Sequence, residues 1–291
     1  MESFGDILTA MVTPFTLDLQ VDQVAFARLA DHLLENGSDG LLVAGTTGES
    51  PTLTDDEKVA LFRQAVEVAG GRGPVIAGTG SNDTEHSVAL TRRAEDAGVD
   101  AVLVVTPYYN KPPERGLRAH FEAIAGATNL PVIIYNIPSR CVINLAPELL
   151  ADLSAIDNIV AVKQANPDLE QSRRLLELCD LGLYAGNDDM TLEVATMGGW
   201  GCISVASHLV GRRLKELVAA ARGGDVTRAA AIDRDLAPLF EALFVTSNPI
   251  PLKAALNMLG HEVGGLRLPL VEATDDERRR VEVELERLGL L

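Results

Sequence analysis

The chain has 291 residues, 47% of them hydrophobic and 23% charged, a globular composition with length enough to bury a core. Its formal net charge of −17 argues against nucleic acid and anionic membrane as partners, because both would repel it. Cys141, Cys179 and Cys202 have neither disulfide-framework nor zinc-site spacing, and no basic-then-apolar leader or long uncharged apolar run is present. The expectation is therefore a reduced, cytoplasmic protein that does not cross a membrane.

Short apolar runs alternate with amphipathic stretches along the chain. Ile7–Val12 reads as a first strand, followed by a helix from about Val21 to Glu35 that stops at Gly37. Gly40–Ala44 is the second strand. Thr54-Asp55-Asp56-Glu57 is a capping-box pattern that opens a helix running to Ala69. Pro74–Gly78 and Ala101–Thr106 are strands three and four, with a helix over 83–97 between them and another over 113–127 after them. Pro131–Asn136 is the fifth strand and Pro147–Ser154 a helix. The sixth strand, Ile159–Ala165, opens on the apolar run Ile159–Val162, which ends by presenting Lys163. Leu169–Cys179, Gly182–Ala185, Leu192–Met197, Gly201–Val205 and Arg212–Ala221 complete eight strand–helix units. Eight such repeats favour closure into a (β/α)8 TIM barrel, an α/β fold, over an open sheet. The absence of G-x-G-x-x-G after the first strand weakens a dinucleotide-binding alternative. Beyond Gly224 the pattern is helical only, at Val226–Phe244, Ile250–Leu259 and Asp276–Leu288. The expected division is thus a barrel over 1–224 and a three-helix extension over 225–291, read as a cap or an oligomer contact.

In such a barrel, reactive groups lie at the C-terminal strand ends. Lys163 is one of only five lysines. Burial at a strand end disfavours its ammonium, which would make a neutral amine available for attack on a ketone. After strand two, Gly45-Thr46-Thr47-Gly48-Glu49-Ser50 offers hydroxyls and backbone N–H groups for a carboxylate. Tyr108 and Tyr109 follow strand four. Strand five ends Tyr135-Asn136-Ile137-Pro138-Ser139-Arg140, a phenol for proton relay and a guanidinium for a second carboxylate. Together they suit a keto acid held by its carboxylate, attacked at its ketone and converted through an imine into an enamine. The five histidines lack ligand spacing and read as surface or helix residues, so a metal-dependent route is disfavoured and no cofactor is called for.

G-T-T-G-E-S at 45–50, P-Y-Y-N-K-P at 107–112, Y-N-I-P-S-R at 135–140 and V-K at 162–163 occur in that order, with G-G-W-G-C-I-S-V at 198–205 and N-P-I-P-L-K at 248–253. As a set they resemble the dihydrodipicolinate synthase / N-acetylneuraminate lyase family, nearly end to end. The resemblance implies a metal-free, Schiff-base condensation of pyruvate with aspartate 4-semialdehyde on the lysine biosynthetic route. It implies that Lys163 forms the Schiff base, that Tyr135 relays protons, and that Thr47 links Tyr135 to Tyr109, which reaches into a neighbouring subunit. It also implies that Thr46 and Thr47 contact the pyruvate carboxylate, that Arg140 binds the aldehyde's carboxylate, and that Gly186 and Ile203 line the pocket. A homo-oligomer follows, a dimer or a dimer of dimers. Sibling aldolases for N-acetylneuraminate or 2-keto-3-deoxy sugar acids are the enzymatic alternative, and an inert ligand-binding barrel the remote one.

Two departures from the family pattern stand out. Gln164 follows Lys163 where many synthases carry an acidic residue, and Asn166-Pro167 replaces a small, Gly-containing turn. In the cleft where some members bind inhibitory lysine (Ser50, Pro51, Asp55, Lys58, Asn82, His86 and Tyr108 here), Lys58 and His86 stand where lysine-sensitive forms often have His and Glu. Weak or absent lysine feedback is expected.

Overall fold

The computed structural model describes residues 3–291, and in it eight parallel strands close into a barrel in chain order, the last pairing back onto the first. The strands are β1 Ile7–Ala10, β2 Gly40–Val43, β3 Val75–Gly78, β4 Ala101–Val105, β5 Val132–Asn136, β6 Ile159–Gln164, β7 Gly182–Ala185 and β8 Gly201–Ser204. The helices that wrap them are α1 Gln23–Glu35, α2 Asp55–Ala69, α3 Thr84–Asp96, α4 Glu114–Ala125, α5 Pro138–Cys141, α6 Pro147–Leu153, α7 Leu169–Leu178, α8 Thr191–Thr196 and α9 Ser207–Arg222. The extension comprises α10 Val226–Leu243, α11 Ile250–Met258 and α12 Asp275–Arg287. Among the described residues, no helix is long and apolar enough to cross a membrane.

The period-2 alternation of each strand builds two cores. Ile7, Leu41, Val43, Val75, Val102, Val104, Val132, Ile134, Val162 and Leu183 point outward and pack beneath the helices. Leu8, Ala10, Leu42, Ile76, Leu103, Ile133, Tyr135, Ala161, Tyr184 and Ile203 point inward and fill the barrel. Lys163 has the parity of Ala161 and Ala165, so it is directed into the barrel end.

Local signals account for the helix limits. The Thr54 hydroxyl accepts from the Glu57 N–H while the Glu57 carboxylate accepts from the Thr54 N–H, and Gly70, at φ 53°, ends α2 in the left-handed conformation. Two elements depart from expectation. Helix α9 begins at Ser207 rather than Arg212, across a kink at Val210 that interrupts its periodicity. Helix α5 has four residues, too few for a hydrophobic period, and opens on Pro138.

The extension has a small core of Ala242, Ala255, Val281 and Leu285, and α12 opens with its own Thr274–Glu277 capping box. Asp235 on α10 is bridged to Arg213 on α9 and Arg287 on α12. The chain between α10 and α11 returns over the barrel mouth, where Phe244 and Asn248 join the wall of the cavity that holds Lys163.

Candidate active site

Strand β6 places Lys163 in register with Tyr135 on β5 and Tyr184 on β7. The lysine is 5% exposed, and its Nζ lies 4.3 Å from the centre of the Tyr135 ring. Burial pushes its pKa down to about 8, against the opposing pull of Cys202 and Asp188. Among the described residues it makes no ion pair. An appreciable share of this amine is neutral near pH 7, and a neutral amine is a nucleophile.

The β2–α2 loop forms the wall beside it. Ala44 and Glu49, at φ 54° and 56°, bracket a tight turn in left-handed conformations. Within it the Glu49 N–H donates to Thr46 O and the Ser50 N–H to Gly45 O, while the Thr13 hydroxyl donates to Gly48 O. Thr46 and Thr47 both line the cavity with Lys163. Their roles differ from expectation. The Thr47 hydroxyl accepts from Asn248 Nδ2 at 2.9 Å, while Thr46 stands beside the Tyr135 phenol and opposes the rise of its pKa. Adjacent residues in the turn thus present their hydroxyls to different partners, which favours Thr46 over the expected Thr47 as the link to Tyr135.

Tyr135 is buried, and burial raises its phenol well above the ordinary value, with the Arg140 guanidinium and the Thr46 hydrogen bond opposing that rise. The phenol is therefore protonated, ready to donate. Arg140, on the short helix α5, is exposed and lines the mouth of the same cavity. Gly186 lines it too. A Cβ there would fall 2.8 Å from the Ala165 Cβ and 2.9 Å from Gln164 O, so β7 can close against β6 only at a glycine. Ile203 is fully buried in the inner core, and Val205 supplies the cavity wall on that side. Tyr109 stands apart from the other site residues. It is 88% exposed, at φ 71°, and is not part of this cavity.

Sequence reasoning missed Asn248 and Asp188. Asp188 is buried, accepts from the Ser204 hydroxyl and from the Val205 and Ala206 N–H groups at 3.2 and 3.0 Å, and so ties the β7 loop to β8. Burial raises its pKa, and those hydrogen bonds oppose the rise. Its signal was the N-D-D run after strand seven. Asn248 lay in the quoted N-P-I-P-L-K motif without an assigned role.

The departures beside Lys163 form an amide network on the outer side of the strand. Gln164 Oε1 accepts from Asn136 Nδ2 and the Asn166 N–H, both at 3.0 Å, and Asn144 Oδ1 accepts from Asn136 and Asn166. The Asn166-Pro167 turn is thus held without a buried charge. Of the histidines, His120 on α4 and His208 on α9 are helix residues, as expected, and both are buried. His208 donates from Nδ1 to Val205 O and accepts at Nε2 from the Val12 N–H, and burial lowers its pKa to about 4. It is a neutral brace.

A second cavity of about 510 Å³ extends from Thr46, Tyr135 and Arg140 to Ser50, Pro51, Asp55, Lys58, Asn82, His86 and Tyr108. Its carboxylate is already engaged. Asp55 accepts from His86 Nε2 at 2.9 Å and lies 3.7 Å from Lys58 Nζ. Burial works to raise the Asp55 pKa, but the His86 hydrogen bond and the Lys58 charge outweigh it and hold the carboxyl below its usual range.

Comparison with known proteins places this geometry. Residues 3–288 match the model of the dihydrodipicolinate synthetase family. The chain is 53% identical over 289 residues to the 4-hydroxy-tetrahydrodipicolinate synthase of Heliobacterium modesticaldum, covering 99% of this chain and 96% of that one. It is 49% identical over 279 residues to the Bacillus subtilis enzyme of the same name, covering 95% and 96%. Among solved structures it superposes on dihydrodipicolinate synthase from Cyanidioschyzon merolae with lysine bound, at a TM-score of 0.97 and 45% identity over 99% of both chains.

Proposed function

We propose that this chain, which belongs to the dihydrodipicolinate synthetase family, condenses pyruvate with L-aspartate 4-semialdehyde to 4-hydroxy-tetrahydrodipicolinate, a step toward diaminopimelate and lysine. The observation that carries this reading is a buried amine without an ion-pair partner, set against a protonated phenol, in one cavity with a threonine turn and a guanidinium.

The chemistry follows from those groups. Thr46 and Thr47 hold the carboxylate of pyruvate. Neutral Lys163 attacks the ketone, and the carbinolamine loses water with a proton supplied by Tyr135, leaving an iminium. The iminium is the electron sink that lets the methyl group of pyruvate lose a proton and become an enamine. The enamine carbon attacks the aldehyde, whose carboxylate is held by Arg140. The amino group of the second substrate then attacks the imine carbon, which closes the ring and frees Lys163. One water leaves overall. In this reading Thr46, beside the Tyr135 phenol, is the next member of the proton relay.

Tyr109 is exposed and held in a left-handed conformation, which suits a side chain completed by a second copy. In this reading two protomers pair so that each Tyr109 reaches the partner's Thr46–Tyr135 relay, and the pairs assemble further as a dimer of dimers. The place of action is the cytoplasm. Free lysine inhibits weakly, because Asp55, the one carboxylate in its cleft, is already engaged by His86 and Lys58. Strong inhibition by sub-millimolar lysine would overturn that part.

The test is pyruvate-dependent consumption of aspartate 4-semialdehyde, with Lys163→Ala as control. Turnover that disappears in the variant supports the reading. A wild type inert with this aldehyde but active with sugar-derived aldehydes would shift the assignment to the sibling aldolases.

A further inference from the structure

The threonine turn ends in Glu49, which has no part in the chemistry above, yet it is the most deeply buried carboxylate of the mouth. Its Oε1 pairs at 2.7 Å with Nζ of Lys253 on α11, and the two side chains are 0% and 1% exposed. Lys253 also donates to Gly265 O at 2.7 Å, with the Phe15 ring 4.2 Å from its Nζ. The second Glu49 oxygen accepts from the Arg267 N–H at 3.0 Å. The Arg267 guanidinium in turn clamps both oxygens of Glu57 on α2, at 2.6 and 2.9 Å, and donates to Thr52 O. On the inner side of the same turn, Asn248 donates to the Thr47 hydroxyl.

Lys253, Arg267 and Asn248 all come from the C-terminal extension, and their bonds to Glu49, Thr52, Glu57 and Thr47 end on the turn or on the segment and helix that follow it. Glu49 sits in a left-handed conformation that a residue with a Cβ adopts only when its surroundings hold it there. Two independent ties, an ion pair outside and an amide inside, therefore hold the turn whose Thr46 and Thr47 line the cavity. A buried ion pair is poor evidence for stability, since matched apolar residues do as well. What apolar residues lack is opposite charge that pairs one point of the turn with one point of α11.

We propose that Glu49 and Lys253 are positioning residues for the keto-acid carboxylate: through their ion pair, seconded by the Asn248–Thr47 bond, the C-terminal extension sets the geometry of the Thr46–Thr47 turn. The proposal rests on the reading that this turn binds the carboxylate of pyruvate.

The experiment measures the pyruvate concentration that half-saturates borohydride trapping at Lys163, without aldehyde, in the full-length protein. Lys253→Met raises it at least about tenfold while trapping at saturating pyruvate still reaches the wild-type extent. The double variant Glu49→Gln/Lys253→Met regains thermal stability, because no charge is left unpaired, but keeps the raised half-saturation. Asn248→Ala, which buries no charge and keeps the ion pair, raises it by a smaller factor. Unchanged half-saturation in Lys253→Met and Asn248→Ala would overturn the proposal. So would a double variant in which half-saturation returns together with stability, since the effect would then be that of an orphaned charge. A wild type that traps no pyruvate would instead defeat the function proposed above.

Discussion

Two of the three buried lysines of this protein have nearly the same acidity, yet they face opposite circumstances. Lys163 and Lys253 are both pushed down to about 8 by burial. Lys253 has a carboxylate at 2.7 Å, a backbone carbonyl at 2.7 Å and an aromatic face. Lys163 has an aromatic face and an open cavity. A depressed pKa therefore does not by itself mark a nucleophile. What separates the two is whether the lone pair, once exposed by proton loss, has somewhere to go.

The comparison breaks most sharply on turnover. Lys163→Met should abolish condensation, by at least about 10⁴-fold, while Lys253→Met should retain it at saturating pyruvate; a steady-state assay of both variants decides this. Stability should move in opposite directions. Lys253→Met strands the Glu49 carboxylate and should cost about 3–5 kcal/mol in denaturant unfolding. Lys163→Met removes a buried charge that has no ion-pair partner, and should stabilise by roughly 1–3 kcal/mol. The two substitutions are chemically identical, so equal signs would erase the distinction.

Tyr135→Phe keeps the ring beneath Lys163 and deletes the hydroxyl. It should lower kcat by about 10²-fold or more with pyruvate trapping intact, which separates proton transfer from packing. The smallest effect is on pH. The native Lys163 pKa is lowered, so the reactive neutral form grows with pH up to about 8. kcat/KM for pyruvate should rise roughly tenfold per unit well below that value and level off above it. A profile flat from pH 6 to 9 would mean that Lys163 is not the group that titrates.

The fold was legible because strand alternation and helix periodicity are local signals. Eight runs such as Val132–Asn136 and Ile159–Gln164 each state their own burial, and the Thr54–Glu57 capping box announces its helix outright. Lys163, Tyr135 and Arg140 were legible for a related reason, since a polar group at the end of an apolar run has few structural explanations. Thr46 and Thr47 were legible as a pair but not individually: which hydroxyl meets Tyr135 depends on the turn's dihedral angles and on Asn248, about two hundred residues away in the chain. The Glu49–Lys253 pair has the same character, because neither residue's neighbours reveal that the other exists. Helix α5 and the kink in α9 escaped because four residues carry no period and a kink destroys one.

The central claim is that the unpaired buried lysine, and not the paired one, carries the chemistry. It is tested most directly by borohydride reduction of the full-length protein in the presence of pyruvate, followed by peptide mapping. A pyruvate-derived mass is expected on the peptide containing Lys163 and none on the peptide containing Lys253. Label at Lys253, or turnover that persists with Lys163 unlabelled, would contradict it.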